Sequence, residues 1–297
     1  MARFMAELDR RIHPIRDDLA ATQLADRIDA PNYAEATPAR LIVGHTPLRN
    51  APSGKAPLDS ELLFGERVDI YESKDGWAWV QNQTDQYVGF VDSAALVATE
   101  NDAYATPSHR VSALRTYLYP EPDLKTPPLD LLSLSSEVTV LDERNGFGDS
   151  GHGWIWGGHV SPVDQFETNI VAVACAFLGT PYLWGGRTSV GLDCSAFVQL
   201  ALASCGIQVP RDTDMQENAL SKLDDWSGEA EMLEPGDLIF WKGHVAIWIG
   251  QNRLIHANAT HMAVTVGPLQ DIVNHIEQAT GEPVSSVRRP NFSQRTS

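Results

Sequence analysis

The stretch of sequence that decides the fold is YLWGGRTSVGLDCSAFV, residues 182–198. Its first half is rich in glycine and polar residues, which is typical of a tight loop. Its second half predicts a helix, because Asp193 is a favourable N-terminal cap and apolar residues follow it at helical spacing. Gly206 suits the end of that helix. The pattern therefore predicts a helix over 194–205 with Cys194 in its first turn.

Cys194 occupies a position that suits a nucleophile. Unpaired backbone amides in the first helical turn carry partial positive charge, which lowers a thiol pKa and favours the reactive thiolate. The same amides can hold an oxyanion. A small buried apolar residue is the alternative interpretation of Cys194, since most free cysteines are buried. Cys175 and Cys205 lie in apolar or helix-end positions, and we interpret both as structural.

A thiol nucleophile needs a base, and two histidines lie in predicted strands further along the chain. The segment HVAIWIG at 244–250 alternates as a β-strand does, and RLIHA at 253–257 returns after a turn. A hairpin centred on Gly250 places His244 opposite His256 on neighbouring strands. Such a pair fits a base and the polar group that orients it. Two unrelated, partly buried histidines are the structural alternative.

A zinc site is a rival use of the same side chains. Cys194, His244, His256 and His261 all have side chains of types that bind zinc. The sequence offers no Cys-x-x-Cys or His-x-x-x-His spacing among them. We therefore expect a site with no metal and no cofactor.

The part of the chain from residue 41 to about residue 162 has a different texture, with short β-type runs separated by turns. A weak internal repeat runs through it, because the tripeptide PLD at 57–59 recurs at 128–130. Each copy leads to a pair of tryptophans, which we interpret as barrel core: Trp77 and Trp79, Trp154 and Trp156. Two small barrels of about 60 residues each would explain the repeat.

The first residues form a third region of the sequence. Within 8–28, Leu19, Leu24 and Ile28 recur at helical spacing, which predicts a short helix in an N-terminal arm. Pro31 then ends the pattern. The predicted domains are the arm at 1–40, the barrels at 41–100 and 101–164, and an α+β domain at 165–297.

The composition limits the partners of the protein. The 297 residues include 39 acidic and 22 basic side chains, so the formal net charge is −17. Such a surface repels phosphate backbones and anionic membranes, and we expect neither nucleic acid nor a membrane as a partner. Acidic residues interrupt the first ten residues, and three cysteines make no disulfide framework. We expect a cytoplasmic monomer; a secreted or periplasmic protein is the alternative if the start is truncated.

Five motifs in the last third resemble the successive motifs of NlpC/P60 cysteine peptidases, in that family's order. They are YLWGG at 182–186, DCS at 193–195, PRDT at 210–213, PGDL at 235–238 and HVAIWIG at 244–250. The resemblance implies a papain-like domain in which Cys194 attacks, His244 accepts its proton and His256 orients His244. Ala196 stands where the family usually has glycine, a change that concerns packing rather than activity.

The two barrels resemble bacterial SH3 domains, and the domain order resembles that of γ-D-glutamyl-L-diamino acid endopeptidases. That resemblance implies cleavage between D-Glu and the diamino acid, meso-diaminopimelate or Lys, of peptidoglycan stem peptides with a free N-terminal L-Ala. Such an enzyme serves the recycling of released muropeptides. The positions that the resemblance implies for substrate binding are Tyr182, Trp184, Asp193, Ser195, Arg211, Asp212 and Thr213.

The resemblance also implies how the end of the substrate is recognised. The Asp212 carboxylate can pair with the substrate ammonium through a charge-assisted contact. An ordinary cap of the helix that follows is the alternative for Asp212 and Thr213. By analogy with the same enzymes, Glu66 and Tyr87 of the first barrel close the end of the cleft and reject blocked N-termini.

Three other functions stay open. A secreted hydrolase would use its barrels to hold intact peptidoglycan. A catalytically silent binding module is disfavoured by the complete set of Cys194, His244 and His256. An amidase or acyltransferase would apply the same Cys-His chemistry to a different acyl group.

Overall fold

The structure is a computed structural model that describes residues 8–100, 103–104, 106–224, 226 and 228–292. Its contacts divide the chain into two compact units, which are described one after the other. Unit 1 consists of Met1–His109, Tyr117–Leu132 and Ser136–Gly157. Unit 2 consists of Arg110–Thr116, Ser133–Ser135 and Gly158–Ser297. The domain boundaries that the sequence suggests stay a prediction.

The N-terminal arm does not form the predicted helix. It contains one turn of 3-10 helix, Thr22–Leu24, and a parallel pair of short strands, β1 (Ala20–Ala21) and β2 (Tyr33–Ala34). The Ala21 amide bonds to the Pro14 carbonyl across a turn, so backbone groups find partners outside a helical ladder. The apolar side chains that suggested a helix pack around Trp79 of unit 1 instead, and this tertiary contact overrides the local spacing.

The first half of unit 1 is a seven-stranded antiparallel sheet in the order β5-β4-β8-β7-β6-β3-β9. Its strands are β3 (Thr37–Leu41), β4 (His45–Arg49), β5 (Leu58–Leu63), β6 (Arg67–Lys74), β7 (Trp77–Asn82), β8 (Val88–Asp92) and β9 (Leu96–Ala98). Leu41, Val68 and Val80 share one buried core, as alternation along strands with one buried face requires. Asp75 and Gly76 join β6 to β7 with φ of 52° and 81°, the left-handed pair of a tight hairpin turn.

The region with the second copy of the repeat also consists of short strands. They are β10 (His109–Val111), β11 (Arg115–Tyr119), β12 (Asp130–Ser133), β13 (Glu137–Val138), β14 (Glu143–Arg144), β15 (Phe147–Asp149), β16 (Trp154–Trp156) and β17 (Val160–Pro162). Five of them form a sheet in the order β12-β11-β16-β15-β14. The prediction that all four tryptophans belong to barrel cores is wrong for Trp156, because its side chain is exposed while Trp79 is buried.

Unit 2 contains the four α-helices of the described residues and a five-stranded antiparallel sheet. The helices are α1 (Ile170–Ala176), α2 (Cys194–Ser204), α3 (Thr213–Ala219) and α4 (Leu269–Thr280). The short strands β18 (Arg187–Thr188) and β19 (Gly191–Leu192) pair with each other ahead of α2. The sheet, in the order β23-β22-β21-β20-β24, comprises β20 (Leu238–Trp241), β21 (His244–Gly250), β22 (Arg253–Asn258), β23 (Ala263–Pro268) and β24 (Ser286–Arg288).

Helix α2 lies at the centre of unit 2. It packs against α1 and against β21 and β22, and every residue of it except Ala203 is buried. Its Phe197 ring meets the Phe177 ring edge to face, with centroids 5.8 Å apart. Burial on all sides explains why α2 reads as apolar nearly all round, and it holds the first turn of the helix in a fixed place. None of the described helices has the length and hydropathy that crossing a membrane requires.

We predict that Phe197→Ala destabilises unit 2 by about 3–5 kcal/mol, the range for truncating a buried phenylalanine, because it leaves a cavity beside Phe177. Urea unfolding measures the change in the free energy of unfolding. Leu178→Ala is the matched control, since Leu178 is half exposed and its truncation changes that free energy by no more than about 0.5 kcal/mol. Equal effects of the two substitutions would contradict the packing described for α2.

Candidate active site

Helix α2 begins at Cys194, as the sequence predicts, and Asp193 caps it. The Asp193 Oδ1 atom accepts a hydrogen bond of 2.8 Å from the Ala196 amide, which is a side-chain cap of the first turn. Its Oδ2 atom accepts one of 3.0 Å from the Gly185 amide. One carboxylate therefore fixes both the start of the helix and the glycine-rich loop that precedes it.

Arg211 neutralises that carboxylate. Its Nη1 and Nη2 atoms donate to Oδ1 and Oδ2 of Asp193 over 2.9 and 2.7 Å. Nη1 also donates to the Ser195 hydroxyl over 2.8 Å. Only 1% of Arg211 is exposed, and Asp193 and Ser195 are buried as well. The side chains of these three predicted substrate-binding residues are thus hydrogen-bonded to one another. A substrate can contact them only by reaching into this buried network.

The thiol of Cys194 is buried next to the strand that carries His244. Its Sγ atom donates a weak hydrogen bond to the Gly243 carbonyl over 3.9 Å. Backbone amides of Val245 and Ser195 point at the same sulfur. The sulfur of the nucleophile candidate therefore contacts backbone groups of Gly243 and Val245, the two residues that flank His244 in the chain.

Burial raises the pKa of the Cys194 thiol to about 12, and the nearby Asp193 carboxylate acts in the same direction. The amides of Val245 and Ser195 lower this pKa, but by less. The prediction that the helix start favours a thiolate is therefore wrong for the resting site. Desolvation of the charged sulfur outweighs the partial charge of the helix terminus.

His244 and His256 are hydrogen-bonded, although the predicted register is wrong. The bond joins Nε2 of His244 to Nδ1 of His256 over 2.8 Å, and the two rings meet edge to face. Pairing of Ile247 with Ile255 places His256 diagonal to His244 rather than opposite. The hairpin turns at Gln251 and Asn252, both with left-handed φ, and a bulge interrupts β21 before it. The observed register differs from the predicted one by two residues, and an even shift leaves both rings on the same face of the sheet. The two histidines therefore still form the hydrogen bond.

Both imidazoles are held in their neutral forms. Burial lowers the pKa of His244 to about 4. Burial, assisted by the neighbouring His244, lowers the pKa of His256 to about 3. Because Nε2 of His244 is bonded to His256, Nδ1 is the ring nitrogen that remains for proton transfer. The resting site therefore contains a neutral thiol, a neutral base and a neutral orienting group.

The described residues include no group of three or more His, Cys, Asp or Glu side chains that could hold a metal ion. His261, the fourth member of the rival zinc set, bonds through Nδ1 to Oδ1 of Asn258 over 3.0 Å. Asn258 in turn donates to Thr265 on the next strand.

The other predicted substrate residues of unit 2 lie around the start of α2 and α3. Tyr182 is half buried, and burial together with the nearby Cys194 raises the pKa of its hydroxyl, which thus stays a donor. Trp184 is 73% exposed on the adjoining loop. Asp212 sits at the N-cap position of α3, and Thr213 begins that helix.

Glu66 and Tyr87 belong to unit 1, where both are buried. Glu66 accepts a hydrogen bond of 2.8 Å from the Leu63 amide through Oε2. Their proposed contact with substrate stays a prediction.

Two residues of the site were missed in the sequence. Trp241 packs its indole against the His244 ring, with centroids 5.8 Å apart. Gln216 on α3 is buried and donates to the Ser195 carbonyl over 2.9 Å. A signal existed for Trp241, which precedes His244 across a two-residue turn and so pairs with it. The segment MQENA around Gln216 has the pattern of an ordinary polar helix, and nothing in that pattern indicates that Gln216 belongs to the site.

Comparison with known proteins identifies the class. Residues 179–286 match the NlpC/P60 family, and residues 48–96 match the bacterial dipeptidyl-peptidase SH3 domain. The chain therefore carries an NlpC/P60 peptidase domain, with a bacterial SH3 domain ahead of it.

Named relatives match most of the chain. Dipeptidyl-peptidase 6 of Lysinibacillus sphaericus is 25% identical over 74% of this chain and 87% of its own length. The gamma-D-glutamyl-L-lysine dipeptidyl-peptidase of Bacillus cereus is 27% identical over 75% of this chain and 74% of its own. A crystal structure of an NlpC/P60 family protein from Bacillus cereus superposes with a TM-score of 0.72, at 23% identity, over 85% of this chain and 99% of that one. The last likeness concerns the fold alone.

The neutral state of His256 has a consequence for stability. The unfolded chain takes up a proton near the ordinary pKa of 6.5, whereas the folded site resists protonation until the pH approaches 3. The unfolded state therefore binds more protons in this window, and stability falls as the pH falls below about 6.5.

We predict that His256→Gln removes this contribution. When the pH falls from about 7 to about 4.5, the free energy of unfolding decreases in both proteins. The decrease is about 2 kcal/mol smaller for the variant than for the wild type. Urea unfolding of both proteins at the two pH values measures the difference, in which the titration of shared carboxylates cancels. The same loss in both proteins would show that His256 is not held neutral by the fold.

Proposed function

We propose that this protein hydrolyses the bond between γ-D-Glu and the diamino acid, meso-diaminopimelate or Lys, in peptidoglycan stem peptides. Cys194 is the nucleophile, His244 the base and His256 the residue that orients the base. The observation that carries this proposal is the contact of the Cys194 sulfur with the residues flanking His244, whose Nε2 is bonded to His256 over 2.8 Å. The name of the Bacillus cereus relative supports the choice of substrate.

The first half of the reaction forms an acyl-enzyme. The Cys194 sulfur attacks the γ-carbonyl carbon of D-Glu, and the thiol proton passes to His244 Nδ1. The imidazolium then gives that proton to the amine of the leaving diamino acid as the C–N bond breaks. His256 holds His244 through Nε2 during both transfers.

The second half returns the enzyme to its resting state. A water molecule gives a proton to His244 and attacks the thioester, and the D-Glu carboxylate leaves as the sulfur regains the proton. The amides of Ser195 in α2 and Val245 in β21, which already face the sulfur, stabilise the oxyanion in each half. The buried surroundings keep bulk water away from the proton that moves between sulfur and imidazole.

We infer that the substrate carries a free N-terminal amine and that Asp212 binds it. Asp212 lies at the N-cap position of α3 and directly follows Arg211, which holds the cap of the nucleophile helix. A carboxylate beside the nucleophile helix forms a stronger hydrogen bond to an ammonium than to an acetylated amide.

We also infer the finer architecture that the resemblance implies. Packing of α2, with the nucleophile at its start, against an antiparallel sheet that carries the base supports a papain-like catalytic domain over 165–297. The repeated strand pattern supports SH3-like barrels over 41–100 and 101–164. Muropeptide recycling is the process in which such an enzyme would act.

The proposal is tested by incubating wild type and Cys194→Ala with L-Ala-γ-D-Glu-meso-diaminopimelate, with its Lys analogue, and with both peptides acetylated at the N-terminus. We expect wild type to release L-Ala-D-Glu from the free peptides only, and Cys194→Ala to release none. Mass spectrometry follows the products.

Other outcomes point to the alternatives. Equal cleavage of free and acetylated peptides contradicts the role of the amine and favours a hydrolase of intact wall. Absence of cleavage of all four peptides contradicts the proposed activity and favours an amidase or acyltransferase.

A further inference from the structure

The first turn of α2 is held by more than its cap. The Ser195 hydroxyl donates to Asp193 Oδ1 over 3.1 Å and accepts from Arg211 Nη1. The Ser195 carbonyl, in addition, accepts a hydrogen bond of 2.9 Å from Nε2 of Gln216. The residue after the nucleophile is thus fixed at its side chain and at its backbone, and its amide is one of the two that face the sulfur.

Gln216 reaches this carbonyl from α3. Its Nε2 atom also donates to the Pro210 carbonyl over 2.9 Å and lies 3.5 Å from the Arg211 carbonyl. One side-chain amide therefore ties the start of α2 to the segment that carries Arg211. Three carbonyl oxygens around one atom require an NH₂ group there, so the orientation of the amide is determined by chemistry.

The other end of the same amide is not satisfied. Gln216 Oε1 is buried and has no hydrogen-bond partner among the described residues. A buried carbonyl without a partner is unfavourable, and a methionine of similar size would fill the space without that cost. Packing alone therefore does not explain a glutamine at this position, whereas its two donated hydrogen bonds do.

We infer that Gln216 is a positioning residue: by holding the Ser195 carbonyl it keeps the first turn of α2 in the orientation that aims the Ser195 amide at the Cys194 sulfur. The inference rests on the proposed function in one respect, that Cys194 is the nucleophile. It adds to that function a residue on a different helix that controls the reactivity of the thiol without touching the sulfur.

Loss of the Gln216 amide has a defined chemical effect. Once the Ser195 carbonyl loses its side-chain bond and keeps only the bond within the helix, the Ser195 amide is less well aligned with the sulfur, and the thiolate loses part of its stabilisation. The thiol pKa rises, so that less thiolate is present at any given pH. Attack by the sulfur slows, while Asp212, the proposed partner of the substrate amine, keeps its position through the bond of its carbonyl to the Gln216 backbone amide. We expect kcat to fall and KM to stay the same.

The experiment compares Gln216→Met with Gln199→Met. Gln199 on α2 is also buried, and its side-chain amide also donates to a backbone carbonyl, that of Val209, while its oxygen accepts from Arg187. The rate of iodoacetamide modification at Cys194 is measured between pH 7 and 9 by mass spectrometry of its peptide. Cys175 lies in a different tryptic peptide, and fragment ions distinguish Cys194 from Cys205 within the peptide that carries both. Hydrolysis kinetics and urea unfolding are recorded on the same samples.

We expect Gln216→Met to react about tenfold more slowly at each pH, as a thiol pKa raised by one unit gives, and its kcat to fall by a similar factor. Gln199→Met is expected to stay within about twofold of the wild type. The inference is overturned if the two variants are equally destabilised and Gln216→Met reacts as fast as the wild type.

Two provisions keep the test decisive. If Gln216→Met does not fold, Gln216→Asn replaces it, because its shorter side chain keeps the amide but cannot reach both carbonyls; the expected slowing is the same. Iodoacetamide needs no peptide substrate. If the protein cleaves no stem peptide but the variants differ in their rates of iodoacetamide modification, the proposed function is refuted and the role of Gln216 is supported. If the wild type cleaves the peptides but the variants are modified at the same rate, the proposed function is supported and the role of Gln216 is refuted.

Discussion

The guanidinium of Arg211 and the carboxylate of Asp193 are buried together at the start of the nucleophile helix, joined by two hydrogen bonds of 2.9 and 2.7 Å. Removing one partner of such a pair leaves an uncompensated buried charge, which costs about 3–5 kcal/mol. The same carboxylate caps α2 through Ala196 and holds the preceding loop through Gly185. The position of Cys194 is therefore set by one ion pair that joins the glycine-rich loop, the start of α2 and the segment around Arg211.

Burial is the second constraint on the site, and it acts on charge rather than on position. It raises the pKa of the Cys194 thiol and lowers the pKa of His244 and of His256, so no member of the set is charged at rest. Reactivity then depends on a proton that moves from sulfur to imidazole within a dry site, and on amides that are already aimed at the sulfur. The rigid start of α2 keeps the Ser195 amide aimed at the sulfur. In this way the Arg211–Asp193 ion pair contributes to the reactivity of the thiol.

Local rules predicted what local interactions decide. The cap at Asp193, the start of α2 at Cys194 and the strand of His244 all follow from capping and periodicity within a few residues. The hairpin register failed because two left-handed residues and a bulge, rather than Gly250, set the turn. The thiol pKa and the contact of Gln216 with the helix start depend on burial and on a tertiary fold, which no spacing in the sequence reports.

The charge state of His244 is measured most directly by ¹⁵N-detected NMR of the histidine rings between about pH 8 and pH 5. We predict that His244 and His256 both remain neutral throughout this range, because burial holds their pKa values near 4 and 3. An imidazolium signal from His244 at pH 7 that disappears in Cys194→Ala would instead show a resting thiolate–imidazolium pair, and it would contradict the account.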